Sequence, residues 1–159
     1  MQVKKVILAS DHAGVELKQH LIDYLTSRGI TAINYGGNDP NEKDDYPDRA
    51  YYLARGIFNH EAEYGILLCG TGAGMGMAIN RYDFIRGACV CCSEEARLSR
   101  AHNNANVLIL GGRTMDASEA EKCVDLFLAT PFDGGRHVVR VNKLERMSHD
   151  FEKKSTMIV

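Results

Sequence analysis

Tyr64-Gly65-Ile66-Leu67-Leu68-Cys69, followed at once by Gly70-Thr71-Gly72-Ala73-Gly74-Met75-Gly76, is the stretch that decides the fold. Its first half carries no charge and no apolar–polar alternation, so it reads as a strand covered on both faces. Such strands belong to parallel sheets flanked by helices. Four more short runs rich in Val, Ile, Leu and Cys lie around it: Val3 to Ala9, Ile30 to Tyr35, Ile85 to Cys91 and Val107 to Leu110. Helical patterns fall between them. Leu17, Leu21 and Leu25 repeat every four residues, and Ala117, Ala120, Val124 and Phe127 keep one stripe. Gly29 suits a helix C-cap and Asp116 a helix start. The alternation predicts a five-stranded, doubly wound, Rossmann-like parallel sheet with helices on both faces.

At 159 residues and 17.6 kDa the chain is expected to form one domain, large enough to fold without staples. A hydrophobic fraction of 45% excludes wholesale disorder, and a net charge of −2 excludes a generally basic nucleic-acid binder. No apolar run approaches a membrane span, and the start is too short in apolar residues for a secretion signal. Five cysteines, two of them adjacent at Cys91-Cys92, make a poor disulfide framework; free thiols in a reducing cytoplasm are expected.

Two stretches fall outside the alternation. Gly36 to Asp48 is a polar loop with five acids (Asp39, Glu42, Asp44, Asp45, Asp48) ahead of a helix start at Pro47. After the Asp133-Gly134-Gly135 break, residues 134–159 read as a C-terminal helical extension to the 1–133 unit. Its basic residues include Arg136, Arg140, Lys143 and Arg146. Val138, Val141, Leu144, Met147 and Phe151 give it an apolar face. A helix added after a finished sheet must bury that face somewhere, and a partner subunit is one place.

Ligands of open parallel sheets bind beyond the carboxyl ends of the strands. There the sequence offers Asp11-His12 after the first strand, Cys69 and the glycine run after the third, and Gly111-Gly112-Arg113 after the fifth. The glycine run can turn backbone N–H groups toward an anion, with a helix expected from Met77. It is no standard nucleotide cradle: Walker A lacks its Gly-Lys-Ser/Thr, and Met75 stands where a dinucleotide fingerprint needs glycine and a cysteine phosphatase needs arginine. Cys69 next to such N–H groups favours a thiolate, as nucleophile or as proton-abstracting base; spacing does not choose. Cys89, Cys91, Cys92 and Cys123 read as packing, and no spacing suggests a metal. His102, just before the fifth strand, should sit at the edge opposite Cys69 unless its helix ends early or another subunit supplies the site. Arg136 and Arg140 share a helix face and repel unless an anion bridges them. His20, His60 and His149 read as solvated.

Taken together, Asp11-His12-Ala13-Gly14, Asp45-Tyr46-Pro47-Asp48, Cys69-Gly70-Thr71-Gly72, His102-Asn103, Gly111-Gly112-Arg113 and the Arg136/Arg140 pair resemble type B ribose-5-phosphate isomerase over about residues 3 to 150. Some members replace the cysteine by a glutamate a few residues on; Cys69 with Met75 marks the cysteine type. The resemblance implies cofactor-free, metal-free interconversion of ribose 5-phosphate and ribulose 5-phosphate. In that picture Cys69 is the base, assisted by Thr71, and the Gly70, Gly72 and Gly74 region holds the enediolate. His102 opens the sugar ring with Asp11 as its partner. His12, Arg113, Arg136 and Arg140 hold the phosphate, Tyr46 packs on the sugar, and Asn103 completes the binding set. It also implies a homodimer, or a dimer of dimers, with sites shared between subunits, and neither nucleic acid nor membrane as partner. Allose-6-phosphate and galactose-6-phosphate isomerases share most of these motifs, the Gly36 to Asp48 loop setting sugar length. A non-catalytic flavodoxin-like receiver would need an Asp and a Lys where Cys69 and Arg113 stand.

Overall fold

The computed structural model describes residues 3–147. Chain order is β1 (Lys5–Ser10), a 3-10 turn (His12–Gly14), α1 (Val15–Ser27), β2 (Thr31–Asn34), α2 (Tyr46–Phe58), β3 (Tyr64–Cys69), α3 (Ala73–Ile79), β4 (Gly87–Cys89), α4 (Ser93–Asn103), β5 (Val107–Gly111), α5 (Ala117–Ala129) and α6 (Arg136–Met147). The strands form one parallel sheet in the order β2-β1-β3-β5-β4.

Side-chain alternation along the central strands divides the core in two. Val6, Leu8, Ile66, Leu68, Leu108 and Leu110 face α1 and α5, where Leu17, Leu21, Leu25, Ala120, Val124 and Phe127 are buried. Ile7, Ala9, Leu67, Cys69, Val107 and Ile109 face α2 and α3, meeting Leu53, Ala54, Ile57, Met75 and Ile79. Each fully buried Leu, Ile or Phe is worth about 1.5–3 kcal/mol of hydrophobic transfer. Phe127 adds an edge-on contact to Tyr64, with ring centroids 5.9 Å apart. The doubly wound expectation therefore holds, and chain order reverses between β1 and β3, the topological switch point.

Local boundaries differ most from the sequence reading at β4 and α3. β4 has three residues where the apolar run suggested Ile85 to Cys91. It is an edge strand paired only with β5, so Ile85 and Val90 are buried without extending the ladder. α3 begins at Ala73, inside the glycine run and earlier than Met77. Buried Met75 and Ile79 hold it to the sheet despite the poor helix propensity of glycine. Gly29 at φ +76° follows α1, and Asp116 caps α5 by accepting from Glu119 N, both as expected.

α6 follows Gly134 and Gly135, both with positive φ, and packs on α4 of its own chain through buried His137 and Val141. Val138, Val139 and Leu144 remain exposed. Phe151, expected on the apolar face, and His149 lie outside the described residues.

Candidate active site

At the end of β1, Asp11 turns the chain into the 3-10 turn. Its buried carboxylate accepts from Ala13 N at 2.9 Å. Burial pushes this carboxyl above its ordinary range, against the opposing pull of the Ala13 N–H and of His12. The next amide, His12 N, donates to Asp44 Oδ1 at 2.8 Å, and His12 Nδ1 lies 3.6 Å from the same oxygen. Arg49 Nε donates to Asp44 Oδ2 at 2.6 Å. Burial would raise Asp44, but Arg49 and the His12 N–H outweigh it and hold the carboxyl below the usual range. Asp44 and Arg49 were missed in the sequence. Asp44 was one acid among five in a loop, and nothing local marks Arg49 as its partner.

Cys69 ends β3 on the α2/α3 side, 5% exposed, and its Sγ accepts from Gly72 N at 3.2 Å. Gly72 can turn that N–H inward because it sits at φ +84°. A Cβ there would also lie 2.8 Å from Cys89 Sγ, so the turn is closed to side chains from both directions. The ends of β3 and β5 are laced together: Gly112 N donates to Cys69 O at 2.7 Å and Arg113 N to Gly70 O at 3.0 Å. A Cβ placed on Gly70 would come within 3.8 Å of both Ala13 Cβ and Arg113 Nη1, so these three residues adjoin. From α2, the Tyr46 ring covers Gly74, 3.0 Å from where its Cβ would be. Thr71 is exposed at the mouth, its Oγ1 3.4 Å from Ala73 N. Asp11, His12, Tyr46, Cys69, Gly70, Thr71, Gly72, Gly74 and Arg113 thus gather at one sheet edge.

His102, Asn103, Arg136 and Arg140 do not join them. α4 runs against the strands, so His102 and Asn103 at its end lie at the opposite edge, just before β5. There the His102 ring stacks on His137 with centroids 4.4 Å apart and 6° between planes, and His102 Nε2 is 3.9 Å from Asp133 Oδ2. Asp133 N donates to Ala101 O at 2.9 Å, tying this corner to α4. Arg136 and Arg140 are exposed on the first turns of α6. Burial, then His102, Arg136 and Arg140, depress the His137 imidazole, with Asp133 pulling the other way. Asp11, anticipated as the partner of His102, is not its neighbour within one chain, because parallel strands place the two at opposite edges.

Among the described residues, His102, Asp133 and His137 are the one group whose donor atoms lie close enough for a metal, within 4.8 Å. The stack argues against it. The ring nitrogens' lone pairs lie in two parallel planes and cannot converge on a single ion, and two arginines add positive charge. The cysteine reading needs correction at the sheet edge. Cys89 and Cys91 are exposed rather than packed, lying in and just past the edge strand β4. Cys123 is core, its thiol pushed up to about 12 by burial.

A family model described as Ribose/Galactose Isomerase matches residues 6–144. The chain belongs to this family. The ribose-5-phosphate isomerase B of Escherichia coli is 39% identical over 144 residues, covering 89% of this chain and 95% of that one. A Thermotoga maritima ribose 5-phosphate isomerase structure superposes with a TM-score of 0.87 at 48% identity, covering 92% of this chain and 99% of the other. A Mycoplasma genitalium ribose-5-phosphate isomerase B, solved with bound ribulose-5-phosphate, does so at 0.88 and 38%, covering 95% and 100%. Among the described residues, no helix is long and apolar enough to cross a membrane.

Proposed function

We propose that the chain is an aldose–ketose isomerase interconverting ribose 5-phosphate and ribulose 5-phosphate through an enediolate. The observation that carries this is the buried Cys69 thiol held by the Gly72 amide at the β1/β3 switch point, with Arg113 beside Gly70, Tyr46 over Gly74 and His12 just past the end of β1. A base there removes the proton on the carbon beside the carbonyl and returns it to the neighbouring carbon. Fixed N–H groups at the start of α3 stabilise the negative oxygen that develops in between. His12, backed by Asp44, and Arg113 offer positive and hydrogen-bonding groups to the phosphate. Tyr46 gives the sugar a flat wall over Gly74.

The remaining groups require a second copy. An antiparallel, two-fold pair of chains brings the carboxyl edge of one sheet to the amino edge of the other, twice. His102, Asn103, Arg136 and Arg140 then complete the partner's pocket, His102 assisting ring opening and the arginines sharing the phosphate. The 134–159 extension is read as the segment that docks there. A run of rings also supports pairing: exposed Tyr51, Phe84 and Phe58 are linked through half-buried Tyr82 at 5.5–6.5 Å between centroids. A homodimer at work in the cytoplasm is the state proposed.

The test is incubation with ribose 5-phosphate or allose 6-phosphate in EDTA, following ketose formation. Faster turnover of the pentose is expected; turnover of the hexose phosphate alone moves the assignment to a six-carbon substrate.

A further inference from the structure

Lys18, on α1, is 1% exposed, yet among the described residues none of its hydrogen bonds goes to a carboxylate. Its Nζ donates to Gly36 O at 2.7 Å, Gly37 O at 2.5 Å, Asn34 Oδ1 at 3.0 Å and Asn38 Oδ1 at 3.0 Å. All four acceptors lie in residues 34–38, where β2 passes into the long loop. An ammonium has only three N–H groups, so the four oxygens crowd it. Burial, reinforced by Arg49 and opposed by Asp44, lowers the Lys18 pKa to about 8. A buried charge whose surroundings disfavour it is held at a cost in stability. Stability alone therefore does not explain this side chain.

What it holds explains it better. The 36–37 turn is pressed onto the end of β1: Ser10 N donates to Gly36 O and Ser10 Oγ to Gly37 O. At Gly37, φ is +71° and a Cβ would lie 1.7 Å from Ser10 O, so only glycine fits. Arg49 lies against Gly36, its Nη1 2.4 Å from a Cβ there, and Arg49 grips Asp44, which accepts from His12 N. The loop then enters α2 at Tyr46, which covers Gly74. One contiguous chain of contacts thus runs from Lys18 through Gly36, Arg49 and Asp44 to His12.

We propose that Lys18 is a positioning residue for the sugar-phosphate pocket, a tether that fixes the 34–48 loop and with it His12, Tyr46 and the length of sugar accepted. The proposal rests on the isomerase reading. Its test compares the full-length protein with Lys18→Met, measuring kcat and KM for ribose 5-phosphate and allose 6-phosphate, and amide hydrogen exchange across residues 34–48. In Lys18→Met, exchange through that loop is expected to speed up while β3 and β5 stay protected. KM for the pentose should rise roughly tenfold, the scale of a wall displaced by a fraction of an ångström. Because Lys18 makes no hydrogen bond to the β3–α3 turn, kcat should stay within about twofold, a split that general destabilisation does not produce. The pentose-to-hexose ratio of kcat/KM should shrink.

Unchanged loop exchange, or native KM and ratio, overturns the proposal. Should Lys18→Met fail to fold, Asn38→Ala removes one acceptor from an exposed site and should give the same changes in milder form; no change there also overturns it. Exchange is read without substrate, so a protein that turns over neither sugar phosphate would sink the isomerase reading and still report on the tether.

Discussion

Replacing Lys18 by methionine should alter how stability depends on alkaline pH, and the structure fixes the sign. The folded chain gives up this proton near pH 8, the unfolded chain near 10.5. Between those values the unfolded state binds more protons, so raising the pH favours the folded state as far as this group is concerned. The displacement corresponds to roughly 3 kcal/mol, present as a penalty below about pH 8 and relieved by about pH 10.5. At neutral pH the variant escapes that penalty but takes the Nζ donor from four oxygens, each of which keeps one other donor: Ser10 N, Ser10 Oγ, Gly36 N and Asn34 Nδ2. The sign at one pH is thus a balance, whereas the slope is not. Denaturant unfolding of both proteins at steps from about pH 7 to 11 isolates the slope, since tyrosine and cysteine titrations are common to both and cancel in the difference. The native protein should gain on Lys18→Met by roughly 2–3 kcal/mol across that range. A flat difference would refute the reasoning, and a falling one would mean that the four oxygens more than replace the lost water.

The other expectations concern the site and the core. Cys69→Ala should fold normally yet lose isomerisation and the exchange of substrate carbon-bound hydrogen with D2O, by at least about a hundredfold; native exchange would remove the thiol from the reaction. Arg113→Ala should raise KM for ribose 5-phosphate about tenfold or more with a smaller change in kcat, as expected for a lost charge-assisted phosphate contact; steady-state kinetics check it. Phe127→Ala empties a fully buried position against Tyr64 and should destabilise by about 3–5 kcal/mol in urea unfolding while leaving KM unchanged.

Sequence alone determined the layered sheet and which loops share its carboxyl edge. Strand character is a local property of an apolar run, and Tyr64–Cys69 has the bounds the sequence suggested. Once strands are known to be parallel, whatever follows β1, β3 and β5 must meet at one edge, which is why Asp11, His12, Cys69, Gly70 and Arg113 could be grouped without coordinates. The same logic put His102 at the far edge. Tertiary structure decided the rest, because it depends on which groups meet across space. The glycine run reads as a loop with a helix from Met77, but buried Met75 and Ile79 supply the packing that starts α3 at Ala73. Asp44 and Arg49 sit in a loop whose acids are indistinguishable by pattern until one of them faces the His12 amide. Lys18 sits beside the leucine stripe of α1 as an ordinary polar residue would. Only the folding of 34–38 over the end of β1 turns it from a surface lysine into a buried ammonium ringed by oxygens, since burial and partner choice are set by distant segments of the chain.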